Sequence, residues 1–152
     1  LSRVKELGDK GKRVTDADLQ TIAEIVLSIQ KEPKVKLNEF TIVSGNHATP
    51  TASVRMAVNG TEILEAGTGV GPVDAAINAI RRAISGVRDV RLEEYHVDAV
   101  TGGTNALVEV WVTMAMGDRS ITARGAGADI IMASVEAVLE GINRLMQLEE
   151  DG

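Results

Sequence analysis

Two glycine-rich segments, residues 67–72 and 125–129, have the residue types and spacing of an anion-binding turn. Each lies between a predicted strand and a predicted helix start, where unpaired N–H groups and the helix dipole attract negative charge. A phosphate is disfavoured, because the first segment lacks the lysine and the hydroxyl of a phosphate-binding loop. A carboxylate is the better candidate anion. The alternative is that the glycines only permit tight turns between strand and helix.

A second polar group lies at residues 92–99, where His96 and Asp98 are two positions apart on a predicted strand. Side chains at this spacing point to the same face, so the pair could act as a general acid and base. No nucleophile or set of metal ligands stands near them in the sequence, and solvated strand charges are the alternative. Trp111 is expected in the sheet core or in an interface. Asp74 is expected to balance a helix dipole unless a ligand's ammonium group lies beside it.

The elements that position these groups begin with three strands and a helix. Alternating apolar residues predict strands near 39–45, 51–58 and 61–66, within a strand region that starts at residue 35. The Asn-Gly pair at 59–60 is a strong hairpin signal. A helix is predicted to begin at Pro72, because proline suits the first helical position.

The same order of elements then recurs. Strands are predicted at 91–100, 106–116 and 120–123, followed by a second amphipathic helix. The sequence therefore predicts a βββα unit written twice, with repeat 1 at about 35–86 and repeat 2 at about 90–148.

This duplication predicts an α+β fold. Two short antiparallel sheets packed on helices, related by a pseudo-two-fold axis, can share one core where a single unit would bury too little. Both helices are rich in small residues, so we expect them to contact each other. We expect leftover apolar surface to be covered by a second subunit, with a symmetric dimer as the commonest arrangement.

Residues 1–34 are predicted to form a separate hinge or linker segment with one helix, preceding a domain at 35–152. Thr15 can cap that helix, and acidic residues follow in its first turn. Pro33 is expected to end it. Apolar residues recur at the spacing of one helical face, at Leu19, Ile22, Ala23, Val26 and Ile29.

Composition narrows the class of protein further. The chain has 152 residues, a net charge of −6, no cysteine and one each of Trp, Tyr and Phe. The acidic charge and the lack of aromatic stacking platforms argue against a nucleic-acid partner. No apolar stretch reaches the roughly 18 residues of a membrane span, so no membrane partner is expected. The chain begins at Leu1, which we interpret as the start of a fragment whose missing part is N-terminal.

Several motifs occur in an order that resembles a known family. The resemblance is to the C-terminal regulatory domain of alpha-isopropylmalate synthase and of its relative citramalate synthase, and it covers nearly the whole chain. The opening residues 3–7 and 14–19 look like the hinge that precedes that domain. The motifs that carry the resemblance lie at 69–76, 101–106, 124–134 and 143–145.

The resemblance implies a cytoplasmic homodimer that binds an end-product amino acid at its dimer interface for feedback inhibition, partnered by the catalytic barrel of its parent chain. It implies no catalysis and no cofactor in this fragment, whereas the parent enzyme is expected to use a divalent metal and acetyl-CoA. Leucine is the expected effector, because the small Ala99 leaves space in the pocket. The expected effector-binding residues are Gly71, Pro72, Val73, Asp74, Leu92, Tyr95, Ala99, Asn105, Ala106 and Ile130.

The residues themselves suit this class of ligand. N–H groups at 71–73 and near Asp129 and Ile130 could bind the carboxylate, and Asp74 and Asn105 could bind the ammonium group. Apolar side chains among the expected residues could enclose the ligand's side chain.

Three alternatives remain open. Isoleucine could be the effector, as expected for a citramalate synthase. The chain could be a dimerisation module without a ligand. It could also be a small enzyme that uses His96 and Asp98.

Overall fold

The computed structural model describes residues 19, 33–102 and 105–151, including side chains except those at 100–106 and 151. The chain divides into two compact units, 1–33 and 34–152, and the fold below is that of the second. The predicted hinge helix lies outside the described residues apart from Leu19, which is helical and exposed.

The first repeat is a three-stranded antiparallel sheet followed by a helix. Strands β1 (Val35–Gly45), β2 (Ala48–Val58) and β3 (Thr61–Thr68) pair in sequence order, and helix α1 (Pro72–Ile84) follows. Asn59 and Gly60 connect β2 to β3 with φ angles of 50° and 82°. These left-handed values are the ones that an Asn-Gly hairpin turn requires, and the predicted hairpin is confirmed.

The second repeat has the same order of elements. Strands β4 (Arg91–Gly102), β5 (Asn105–Met116) and β6 (Arg119–Gly127) form a second antiparallel sheet, and helix α2 (Ile130–Asp151) follows. The predicted α+β fold with two βββα repeats is therefore confirmed. Strands β4 and β5 are longer than predicted, because their pairing continues to Gly102 opposite Asn105.

The core lies between the sheets and the helices. Helix α1 packs on β2 and β3, α2 packs on β5 and β6, and the two helices contact each other as expected. The middle strands turn every second residue inward, as a strand with one buried face requires. Their fully buried side chains include Val54, Met56, Val110, Val112 and Met114. Among the described residues, no helix is long and apolar enough to cross a membrane.

Trp111 does not belong to this core. Its side chain is 38% exposed and lies opposite His96, with the Arg124 guanidinium carbon 5.8 Å from the ring centroid. The alternation of β5 turns Val110 and Val112 inward and therefore turns Trp111 outward. The expectation of a core position for Trp111 was wrong, and the alternative of an interface position stays a prediction.

Glycine allows each sheet to approach its helix closely. A Cβ atom at Gly67 would lie 2.6 Å from the backbone nitrogen of Ala79, and one at Gly125 would lie 2.1 Å from the carbonyl oxygen of Ala133. Real Cβ atoms do not approach backbone atoms so closely, so both positions need glycine for packing. Gly67 and Gly125 occupy corresponding places in β3 and β6.

Asn143 of α2 joins the second repeat to the first. Its Oδ1 accepts a hydrogen bond from the N–H of Val35 at 2.8 Å, and its Nδ2 donates one to the Val35 carbonyl at 2.9 Å. The side chain thus acts as a strand partner for the first residue of β1. Because Val35 is only 2% exposed, these bonds satisfy backbone groups that water reaches poorly.

Candidate functional site

An apolar groove lies between the start of α1 and strand β4. Its volume is about 390 Å³, which is within the range of roughly 300–1,000 Å³ typical of small-molecule sites. The groove combines the helix start of the first repeat with a strand of the second. The lining residues are Gly71, Pro72, Val73, Asp74, Ile77, Leu92 and Tyr95.

At the helix end of the groove, the first backbone N–H groups of α1 have no partner within the helix. Gly71 is the N-cap, with φ −144° and ψ 178°, and it has no side chain to cap the helix. Pro72 has no N–H group, and the first bond within the helix runs from the Ala75 N–H to the Gly71 carbonyl at 2.9 Å. The N–H groups of Val73 and Asp74 therefore have no partner within the helix and point towards its N-terminal end.

Asp74 places a carboxylate beside these N–H groups. Its Oδ2 accepts a hydrogen bond from the N–H of Val70 at 2.9 Å. Among the described residues, no hydrogen-bond donor reaches its Oδ1. The side chain is exposed, so this oxygen is available to a positively charged ligand group.

The strand wall of the groove depends on a β-bulge. Leu92 pairs with Met114 and Tyr95 with Val112, both on the buried face of β5. Residues three apart on a regular strand would face opposite sides of the sheet. The irregularity between Leu92 and Glu94 adds one residue, so both side chains face inward.

Tyr95 also contacts the second helix. Its hydroxyl is 2.6 Å from the hydroxyl of Ser134 in α2. The Tyr95 side chain is 39% exposed, whereas Ser134 is fully buried. Tyr95 therefore touches the groove through its ring and the protein interior through its hydroxyl.

The start of α2 differs from that of α1. Asp129 directly precedes α2, and its Oδ1 accepts a hydrogen bond from the N–H of Ile131 at 2.7 Å. A side-chain carboxylate therefore already caps this helix. The Ile131 N–H is not free for a ligand, in contrast to the expectation that N–H groups near Asp129 and Ile130 could bind one.

The structure brings six of the ten expected binding residues together in the groove: Gly71, Pro72, Val73, Asp74, Leu92 and Tyr95. Ile77 was missed, although it lies one helical turn after Val73 and shares its face.

Two of the remaining four expected residues, Ala99 and Ile130, do not line the groove. Ala99 is exposed on β4, and Ile130 is 41% exposed at the start of α2. The side chains of Asn105 and Ala106 lie outside the description. The binding roles of all ten residues stay predictions.

The alternative catalytic pair forms but lies elsewhere. The Nε2 of His96 is 2.9 Å from the Oδ1 of Asp98, and both side chains are more than half exposed. They share the outer face of the second sheet with Trp111 and do not line the groove. Among the described residues, no group of three His, Cys, Asp or Glu side chains could hold a metal ion.

A second depression, of about 240 Å³, lies beside the C-terminal part of α2 and is bordered by ion pairs. Lys34 contacts Glu150 at 2.9 Å, and Arg88 contacts Glu149 through two guanidinium nitrogens. The hydrogen bond from Arg88 lowers the pKa of Glu149, and the same bond raises the pKa of Arg88. These charges already have protein partners, so the depression offers a weaker case for a ligand than the apolar groove.

Comparison with known proteins gives one family and a consistent set of relatives. Residues 13–146 match the family model of the LeuA allosteric (dimerisation) domain. The putative (R)-citramalate synthase CimA of Methanosarcina mazei is 67% identical over 150 residues, which cover 98% of this chain and 31% of that protein.

Two relatives come from Methanocaldococcus jannaschii. Its (R)-citramalate synthase CimA is 54% identical over 146 residues, covering 95% of this chain and 30% of that protein. Its 2-isopropylmalate synthase is 45% identical over 152 residues, covering 99% of this chain and 29% of that protein. The chain thus spans about a third of the length of these relatives.

Proposed function

Because the chain belongs to the LeuA allosteric (dimerisation) domain family, we propose that the groove at the start of α1 binds a free branched-chain amino acid as an effector. Bound effector would lower the activity of a synthase of which this chain is the regulatory part. The observation that carries this proposal is the difference between the two helix starts.

Gly71 and Asp129 occupy the same place in their repeats, directly before α1 and α2. In the second repeat, the Asp129 carboxylate accepts the hydrogen bond from Ile131. In the first repeat, Gly71 leaves that place open beside the N–H groups of Val73 and Asp74. A ligand's carboxylate would accept hydrogen bonds from these N–H groups and would be stabilised by the positive end of the α1 dipole.

The rest of an amino acid also finds complementary groups. The Asp74 carboxylate suits the ligand's ammonium group, because oppositely charged groups form strong, charge-assisted hydrogen bonds. The apolar walls from Val73, Ile77, Leu92 and Tyr95 suit an aliphatic side chain. Burying such a side chain contributes about 2–3 kcal/mol, so the polar contacts are also needed for useful affinity.

Isoleucine is the first candidate effector. The relatives that share 54–67% identity with this chain are named citramalate synthases, and isoleucine is the effector expected for that enzyme. Leucine, the effector expected from the sequence, is the second candidate. The 45% identity with 2-isopropylmalate synthase favours it. The two isomers differ in the position of one methyl group, so shape alone would discriminate between them by about 1–3 kcal/mol.

The oligomeric and regulatory parts of the proposal follow from the family. We propose a homodimer in the cytoplasm whose effector sites lie at the dimer interface. The parent chain's catalytic barrel would be the regulated partner and would use a divalent metal and acetyl-CoA. Effector binding would be coupled to that barrel by a free energy of about 1–3 kcal/mol, transmitted through the hinge helix predicted at 15–30.

Titration calorimetry of the 152-residue chain with isoleucine, leucine and valine, each used separately, tests the proposed function. We expect saturable binding of about one ligand per chain, tightest for isoleucine. A preference for leucine would assign the chain to an isopropylmalate synthase. No heat with any of the three, from a folded dimer, would refute effector binding and support the dimerisation module.

A variant that blocks the groove provides the control for this titration. Val73→Trp adds a large side chain at the groove wall and should abolish binding while the chain stays folded by circular dichroism. Leu64→Trp is the matched control, because Leu64 is 66% exposed on β3 and does not line the groove.

A further inference from the structure

Ser134 is a buried polar residue next to the groove. Its side chain is 0% exposed, and it is the only buried polar or charged side chain among the described residues. Its hydroxyl lies 2.6 Å from the hydroxyl of Tyr95. A buried hydroxyl without a partner destabilises a fold, so this contact satisfies Ser134 and ties the groove wall to α2.

The first repeat has no equivalent pair of hydroxyl groups at the corresponding positions. Phe40 pairs with Val54 as Tyr95 pairs with Val112, and in both cases the partner lies four residues before the end of the middle strand. Ala76 is the fifth residue of α1, as Ser134 is the fifth residue of α2. The βββα unit therefore folds with Phe and Ala at these two places, and the hydroxyl pair is not a requirement of the fold.

The tyrosine of this hydroxyl pair, Tyr95, is also a residue that lines the groove. We propose that Ser134 is a positioning residue for the effector site, which holds the Tyr95 ring in the orientation that forms the groove wall. The proposal rests on the proposed function. A partly exposed ring without this anchor would lose its fixed orientation, and binding a ligand would then require ordering it again.

Two single variants and their double variant test this role by calorimetry with isoleucine and leucine. Tyr95→Phe removes one hydroxyl and keeps the ring, and Ser134→Ala removes the other hydroxyl. Each should weaken the binding of the preferred amino acid about fivefold, the equivalent of ~1 kcal/mol for one neutral hydrogen bond. The double variant should bind no more weakly than either single variant, because one shared bond is lost in all three.

The matched control is a pair of hydroxyl groups that lies within the second sheet. The hydroxyls of Thr113 and Thr122 lie 3.2 Å apart on the exposed face, away from the groove. Thr122→Val should leave the affinity for isoleucine and leucine unchanged. Tyr95→Phe and Ser134→Ala should also change the ratio of the two affinities, which a uniform loss of stability would not do.

The possible outcomes separate this inference from the proposed function. If the wild-type chain binds neither amino acid, the proposed function fails and the inference fails with it. If the wild type binds but both single variants bind equally well, only the positioning role of Ser134 is refuted. Additive losses in the double variant would also refute it, since the two hydroxyls would then act independently.

Discussion

Replacing Gly71 by aspartate should stabilise the domain and strongly weaken effector binding at the same time. The substitution gives α1 the N-cap that Asp129 gives α2. It is sterically permitted, because Gly71 has an extended backbone and a Cβ atom there would meet nothing within 4 Å. The new carboxylate would accept the hydrogen bonds from Val73 and Asp74 that the ligand's carboxylate is proposed to accept.

The two effects have opposite signs and different sizes. Aspartate in place of an N-cap glycine, together with its interaction with the helix dipole, should raise the free energy of unfolding by about 0.5 kcal/mol. For a chain of this length, that raises Tm by about 1–2 °C. Binding should weaken at least about 30-fold, because hydrogen bonds to a charged ligand group contribute about 1.5–3 kcal/mol each.

Thermal unfolding and calorimetry with isoleucine measure both quantities on the same samples. Gly71→Ala is the size control, because it adds a Cβ atom without a carboxylate and should keep most of the affinity. Asp129→Gly is the reciprocal control, which should lower stability and leave binding intact. Unchanged affinity in Gly71→Asp would refute the placement of the ligand's carboxylate. An equal loss in Asp129→Gly would show that the effect acts through the fold.

Two further predictions concern the scaffold. Gly125→Ala should destabilise the domain by about 1–3 kcal/mol in urea unfolding, because its Cβ would overlap the backbone of Ala133. Gly86→Ala is the control, because a Cβ atom at Gly86 would lie in open space. An equal loss of stability in this variant would contradict the reasoning. Asn143→Ala should lower the free energy of unfolding by about 1–3 kcal/mol in the same assay, because it leaves buried backbone groups of Val35 without partners. A neutral result would mean that water reaches those groups.

The duplicated fold could be predicted because each element carries its own local signal. The Asn59–Gly60 hairpin and the alternation of β2 and β5 depend on neighbouring residues, and both appear in the structure. The outward position of Trp111 follows from the same alternation, and hydrophobicity alone led to the wrong expectation of a core position. The predicted β4 ended two residues too early and the predicted β5 began one residue too late, because pairing across strands extends a strand beyond its apolar pattern.

The candidate site was only partly predictable, because it joins residues of both repeats. The glycines before α1 give a local signal for a helix start that lacks a cap. The β-bulge before Tyr95 gives no clear local signal, although it decides which side chains face the groove. The contact between Tyr95 and Ser134 joins a strand to a helix 39 positions away, and no spacing rule for a single element predicts such a pair.

The two repeats form an internal comparison that separates residues needed for folding from residues needed for binding. Core positions of the helices keep small apolar residues in both repeats, as at Ala75 and Ala133, because the same close packing is needed twice. Places that differ in hydrogen-bonding capacity include the helix caps Gly71 and Asp129. They also include the hydroxyl pair of Tyr95 and Ser134, which stands where the first repeat has Phe40 and Ala76.

Gly71 and Tyr95 line the groove, and Ser134 contacts Tyr95. The βββα unit folds with either choice at these places, so neither choice is required by the unit itself. Selection for stability alone would favour a capped helix in both repeats, since an N-cap carboxylate stabilises a helix more than glycine does. The uncapped start of α1 therefore supports the proposed function, in which the effector's carboxylate would complete the helix start.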